Sequence, residues 1–294
     1  MAEHTSITTA PAPTNRNFIQ VYSKSSGTAI GLGFWAAEAN SKRAHDIDSA
    51  AQFAFTVTTP QSQITDVEFY GATVVMGLTP YNDKRHSLAF LSPAFKSLSE
   101  ERTTTPIGAT GLAGLNQTNG KTDPPTSYVY YKSPSMPGLR EYNLENDSAE
   151  DLPVTIAPRL TSPLAAYHHL GGGPKPAQPI GAGRYVIYID DKKKNPVEIV
   201  SADKIRADTG LAVVFLTDTK KTYLFFVAGD AKLMRVVKTP NNMAWGVPAP
   251  VGKVSPALVK AGAQLSAVLQ KDTLHVFWTT GADSRALGHG FERP

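Results

Sequence analysis

Short clusters of β-branched and aromatic residues recur along the chain: Ile19-Gln-Val-Tyr-Ser, Thr73-Val-Val-Met-Gly, Ser127-Tyr-Val-Tyr-Tyr, Arg184-Tyr-Val-Ile-Tyr, Thr222-Tyr-Leu-Phe-Phe and Leu274-His-Val-Phe-Trp. Each has the length and residue types of a buried strand. With Tyr22, Met76, Tyr130, Ile187, Phe225 and Phe277 taken as equivalent, the spacings are 54, 54, 57, 38 and 52 residues. A second set pairs small with branched residues: Ile7-Thr-Thr-Ala, Ile64-Thr-Asp-Val, Leu112-Ala-Gly-Leu, Leu164-Ala-Ala-Tyr, Leu211-Ala-Val-Val and Leu265-Ser-Ala-Val. These begin at intervals of 57, 48, 52, 47 and 54 residues. Two independent anchors therefore return one unit per roughly fifty residues, repeated six times.

Small residues beside branched ones suit a strand that runs close to its neighbours around a crowded axis. A third strand is expected after each second one, across the turn residues Ser26-Gly27, Pro137-Gly138, Lys192 to Pro196, Gly229-Asp230 and Gly281 to Asp283. Asn242-Met-Ala-Trp-Gly adds a fourth strand to the fifth unit. The pattern predicts an all-β, six-bladed β-propeller in a single domain spanning 1–294. A sandwich would need fewer strands, and two separate β domains would need a linker where the repeats run on without one. The Pro/Gly clusters at 122–126 and 171–183 read as loops between first and second strands. The last unit's third strand ends near Phe291, so its outer edge is expected to be unpaired, a liability for any sheet. Residues 5–11 either cover that edge or form the inner strand of the first blade.

Composition narrows the chemistry. The 294 residues include no Cys, which removes thiolate zinc sites, iron–sulfur clusters, cysteine nucleophiles and disulfides. The net charge is only +4, and Lys192-Lys193-Lys194 lies between Asp190-Asp191 and Asn195-Pro196, a solvated turn rather than a nucleic-acid patch. No apolar stretch approaches the ~20 residues of a membrane span. Residues 1–17 lack the pattern of a secretory signal, so a cytoplasmic protein is expected. His168-His169 would present its rings to opposite faces of a strand, against shared metal binding. Gly181-Ala-Gly-Arg-Tyr-Val is followed by a strand where a nucleotide loop needs a helix. A Ser/His/Asp triad drawn from separate blades stays open. Glu141 and Glu198 occupy equivalent places in neighbouring blades, too far apart for the ~5–9.5 Å of a glycosidase pair.

The stretch Ser127-Tyr-Val-Tyr-Tyr-Lys-Ser-Pro-Ser-Met-Pro-Gly-Leu-Arg-Glu-Tyr resembles the repeat of the fungal fucose-specific lectins, six-bladed propellers, and Ile19-Gln-Val-Tyr-Ser through Phe34-Trp35 is similar in layout. That resemblance implies sugar sites built from an Arg on the second strand, a Glu on the third and aromatic platforms. This chain places Gln20, Val74, Tyr128, Tyr185, Tyr223 and His275 at the Arg position. The Glu persists as Glu141 and Glu198, with Arg235 near the corresponding place in the fifth unit. Three Trp are too few for six similar platforms. A lectin with degenerate sites is thus the alternative reading. Tyr128, Tyr185 and Tyr223, at one repeated position, either fill space between blades or line a pocket for a small molecule.

The overall sequence also resembles the lectin-fold hetero-Diels–Alderases of fungal secondary metabolism, which join a tropolone-type o-quinone methide to a humulene-type terpene. This resemblance implies a cofactor-free, metal-free reaction on terpenoid and aromatic polyketide substrates. It would proceed by positioning, with a donor to the quinone methide carbonyl. Arg184, Tyr223, Arg235 and His168 are the catalytic candidates, with Tyr185 as a further donor. Tyr128, Glu141, Tyr185, Glu198, Trp245 and His275 are the substrate-binding candidates. The partners expected are these small molecules, with no nucleic acid, no membrane span and a homodimer left open.

Overall fold

The computed structural model describes residues 4–11, 18–25, 30–36, 43–47, 62–93, 95–98, 100–117, 126–134, 138–152, 154, 157–168, 184–188, 210–239, 242–255, 258–260, 262–280 and 287–294. Among these there is no α-helix, only a 3-10 turn at Glu101–Thr103. No helix is long and apolar enough to cross a membrane.

Six antiparallel sheets follow one another along the chain. Blade 1 holds β1 (His4–Pro11), β2 (Phe18–Ser25), β3 (Ile30–Ala36) and β4 (Arg43–Ile47). Blade 2 holds β5 (Thr65–Phe69), β6 (Ala72–Pro80) and β7 (Arg85–Ser92), with an outer edge in two pieces, β8 (Lys96–Ser97) and β9 (Thr104–Pro106). Blade 3 holds β10 (Leu112–Gln117), β11 (Thr126–Lys132), β12 (Leu139–Asn143) and β13 (Ser148–Leu152). Of blade 4, β14 (Leu164–His168) and β15 (Arg184–Tyr188) are described. Blade 5 holds β16 (Ala212–Leu216), β17 (Lys221–Val227), β18 (Leu233–Thr239), β19 (Asn242–Trp245) and β20 (Ala249–Pro250). Blade 6 holds β21 (Lys253–Ser255), β22 (Leu265–Gln270), β23 (Thr273–Thr279) and β24 (Leu287–Glu292). The predicted propeller, with its twelve inner and second strands, is the observed architecture.

The repeat holds at the level of register. Gln20, Val74, Tyr128, Tyr185, Tyr223 and His275 stand opposite Ala10, Val67, Leu115, Tyr167, Val214 and Val268, which is the fourth residue of each predicted inner-strand motif. Alternation in a strand then puts Tyr128 with Tyr130, and Tyr223 with Phe225, on one face of each blade. That face packs on the next blade, so the apolar cores lie between blades. Tyr128 and Tyr130 of blade 3 cluster with Leu164 and Tyr188 of blade 4, and Tyr223 and Phe225 of blade 5 with Leu274 and Trp278 of blade 6.

Neighbouring inner strands pack as closely as the small residues imply. A Cβ on Gly114 would meet the Asp66 carbonyl oxygen at 2.5 Å, and one on Gly111 the Ser162 carbonyl oxygen at 2.2 Å. Gln63 ties three inner segments together: its Oε1 accepts from the Leu112 N–H at 3.1 Å and the Leu164 N–H at 2.8 Å, and its Nε2 donates to the Leu164 carbonyl at 3.2 Å.

The outer edge of the last blade departs from expectation. Residues 253–255 form β21, which pairs with β24, so that edge is covered by a strand drawn from just upstream of the blade's own inner strand. β1 pairs with β2 and takes the inner place in blade 1. The Lys192 to Pro196 turn, the 171–183 loop and most of the 122–126 loop lie outside the described residues.

Candidate functional site

The seam between blades 3 and 4 gathers three of the candidate side chains in one place. Glu141 of β12 stands opposite Tyr130 of β11. The Tyr130 hydroxyl donates to Glu141 Oε2 at 2.6 Å. From β15, Arg184 reaches across: Nη2 donates to Glu141 Oε1 at 2.9 Å and Nη1 to Gln117 Oε1 at 3.1 Å. The guanidinium carbon lies 3.9 Å from the centre of the Tyr128 ring, a cation–π arrangement. Burial raises the Glu141 carboxyl above its ordinary range, against the lowering by the Tyr130 hydroxyl and Arg184. The Tyr130 phenol is pushed up by burial and then by the Glu141 charge, so it stays a proton donor. The Arg184 side chain keeps 16% of its surface, and Nε has no hydrogen-bond partner among the described residues. A guanidinium carries five N–H donors, so capacity remains for a neutral acceptor at the seam.

The seam between blades 5 and 6 repeats this plan with the charges exchanged. Arg235 of β18 stands opposite Phe225, as Glu141 does opposite Tyr130. Its Nε lies 2.5 and 2.7 Å from the two oxygens of Glu292 on β24. Tyr223 lies beside the pair and packs with Phe225 at 6.5 Å between ring centres. Burial and the Glu292 charge raise the Tyr223 phenol above its ordinary value, and Arg235 opposes them.

The other candidates fall elsewhere. Tyr185 stacks on Tyr167 at 4.9 Å with the planes 9° apart, and the Lys238 ammonium lies 5.7 Å from both the Tyr185 and Trp245 rings. Trp245 is buried in the core between blades 4 and 5. His275 is buried between blades 6 and 1, with Nδ1 3.0 Å from His289 Nε2. Its neighbour Phe277 packs on Trp35 in the core of that seam. His168 stands opposite Arg184 in the strand register and lines the central channel. Glu198 and His169 lie outside the described residues. The structure thus unites Tyr128, Glu141 and Arg184 in one site and Tyr223 with Arg235 in another, and leaves Tyr185 with Trp245, His275, and His168 in three further places. Tyr130, Gln117 and Glu292 complete these sites and were missed. Tyr130 is the one whose role the register could have indicated, two residues beyond Tyr128. Among the described residues no group of three His, Asp or Glu side chains is placed to hold a metal.

The architecture defines the class: a six-bladed β-propeller, the fold also seen in solved lectin structures. A variant of the Aleuria aurantia lectin, solved in complex with alpha-methyl-L-fucoside, superposes with a TM-score of 0.64 at 13% identity, covering 99% of this chain and 96% of that one. AofleA from Arthrobotrys oligospora gives 0.60 at 11% identity, covering 99% and 83%. The BP39L lectin from Burkholderia pseudomallei gives 0.55 at 16% identity, covering 100% and 84%. No family model and no curated protein matches the chain.

Proposed function

We propose that this chain is a cofactor-free hetero-Diels–Alder cyclase that joins a tropolone-type o-quinone methide to a humulene-type terpene at the seam between blades 3 and 4. The observation that carries the reading is the way the polar groups of that seam face one another. Glu141 takes the Tyr130 hydroxyl and the Arg184 guanidinium, which itself lies flat on Tyr128. The Glu141 side chain is only 7% exposed, so little of the carboxylate is open to the hydroxyls of a sugar ring. The remaining guanidinium N–H groups and the aromatic walls suit an apolar ligand with one carbonyl oxygen. Arg184 would donate to that oxygen as negative charge develops on it in the transition state. Tyr128 and the surrounding apolar side chains would hold the two reactants in contact. Positioning of this kind contributes up to roughly 7–11 kcal/mol in favourable cases. A pericyclic addition forms its new bonds in one step and needs no proton transfer from the protein.

The test is product formation from a hydroxylated humulene and a quinone methide precursor, following rate and diastereomer ratio against a no-protein control. The double variant Arg184→Met with Glu141→Gln removes the donor without stranding a buried carboxylate, and is expected to lower the rate by about tenfold or more. A rate and diastereomer ratio equal to the control would sink the reading.

Glycan binding is the second reading, favoured by the meeting of an Arg, a Glu and two tyrosines in one seam of this fold. Fucose titration by calorimetry separates the two. Saturable fucose binding that the double variant abolishes would replace the cyclase reading.

A further inference from the structure

Independently of the seams, the inner strands of all six blades enclose a central channel of about 470 Å³, a size that holds small organic molecules. Its wall includes Thr8, Asp66, Asn116, His168, Val214 and Ser266, one from each inner strand. Small aliphatic and hydroxyl side chains make up most of it, and among the described residues no Lys, Arg or Glu lines it.

Asp66 does not belong to that background. It is partly exposed on the channel. The Thr8 hydroxyl, donating to Oδ1, is its one side-chain partner among the described residues. Its β6 neighbour in the register is Val75, which offers no charge. Thr9, adjacent to Thr8, shares a 2.8 Å hydrogen bond with Ser266 across the blade 6 to blade 1 junction. Neighbours on a strand turn to opposite sides, so Thr8 faces Asp66 and blade 2 while Thr9 faces Ser266 and blade 6, and the carboxylate has one hydroxyl beside it. Burial pushes the Asp66 carboxyl up to about 6, which leaves it mainly ionised at neutral pH. A carboxylate on a low-dielectric wall without a counter-cation costs stability. Asn would keep an oxygen for Thr8 without that cost, so the fold itself does not call for the charge.

We infer that the central channel binds a small organic ammonium ion, with the Asp66 carboxylate as counter-ion. Thr8 offers a hydroxyl oxygen to a second N–H donor, and aliphatic wall residues such as Ala165 and Val214 surround the hydrocarbon. An ammonium group has three donors, two of them matched by the Asp66 carboxylate and the Thr8 hydroxyl oxygen. A charge-assisted hydrogen bond of this kind is about twice as strong as a neutral one.

The experiment is calorimetric titration of the full chain with n-hexylammonium, with 1-hexanol and hexanoate as neutral and anionic matches of the same length. Hexylammonium is expected to bind, and the other two at least about tenfold more weakly. Asp66→Asn is expected to lose about tenfold or more in affinity for the amine while its melting temperature holds or rises. Thr8→Val, a second variant that leaves the carboxylate in place, is expected to weaken the amine severalfold. Among the described residues Tyr167 and His168 are the other ionisable side chains on the wall, and His168→Gln is expected to keep the loss of amine binding on acidification through about pH 6. Undiminished binding by folded Asp66→Asn overturns the inference. So does hexanol binding as tightly as the amine, or complete displacement of the amine by millimolar sodium or potassium.

Discussion

Gly288 stands opposite Trp278 in the β23–β24 register, and a Cβ there would fall 1.9 Å from the indole Cε2. Trp278 is fully buried, so its ring cannot swing into solvent to make room. Gly288→Ala is expected to cost about 1–3 kcal/mol through overpacking, read as a lower urea midpoint at unchanged slope; an unchanged midpoint would mean that the indole repacks freely. Gln63 is the opposite case, a residue whose loss leaves donors stranded. Gln63→Leu removes three hydrogen bonds and leaves the buried Leu112 and Leu164 N–H groups without an acceptor. The expected loss is on the order of 2–4 kcal/mol, with faster amide exchange at those two residues than elsewhere in β10 and β14. Exchange that rises evenly over the molecule would deny Gln63 its local role. Neither residue advertised itself in the sequence. A glycine beneath an indole and a glutamine between strands are ordinary residues until the register shows what faces them.

Strands were the most legible level, because burial on both faces leaves a dense run of β-branched and aromatic residues that repeats with the blade. Tyr128, Tyr185 and Tyr223 were equated by spacing alone, and their register partners sit at one level in three sheets. What crosses a seam was not legible. Arg184 and Glu141 are 43 residues apart, and Arg235 and Glu292 are 57 apart, with nothing in the chain between them to announce the pairing. β21 was missed because three residues, Lys253-Val-Ser, carry no periodic signal. The two seams make a testable pair. Arg184→Met alone leaves Glu141, 7% exposed, without its cation, and is expected to destabilise by on the order of 3 kcal/mol. Adding Glu141→Gln should recover most of that loss, because the pair is costly chiefly when it is broken. A double-mutant cycle with no coupling would show that the ion pair contributes nothing to the seam.

Ring closure brings these levels together. Blade 1 takes its described strands from 4–47 and blade 6 from 253–292, with no strand exchanged between them. The closing seam therefore rests on side chains: Ile7, Ile19 and Trp35 against Val268 and Phe277, with the His275–His289 pair beside them. An imidazole pair occupies the place that ion pairs fill in the seams between blades 3 and 4 and between blades 5 and 6. Burial, and then the nearby His275, push His289 down from its usual value to about 3, and its other ring neighbours, Trp35, Phe277 and Phe291, carry no charge. The unfolded chain protonates this imidazole near pH 6.5 while the folded one refuses the proton. Stability is thus complete above about pH 6.5 and falls as the pH drops toward 3. Asp66 acts with the opposite sign. Its raised carboxyl holds a proton in the folded state that the unfolded chain releases, so its contribution grows as the pH falls from about 6 toward 3.8. Acid should therefore open the ring at one place. Hydrogen exchange at about pH 4.5, corrected for intrinsic rates, is expected to accelerate in β2, β3, β23 and β24 before β11 and β12. His289→Phe should flatten the loss of stability with acid, and Asp66→Asn should steepen it. Uniform acceleration around all six blades would mean that the closing seam is no weaker than the others and that the histidine pair does not govern it.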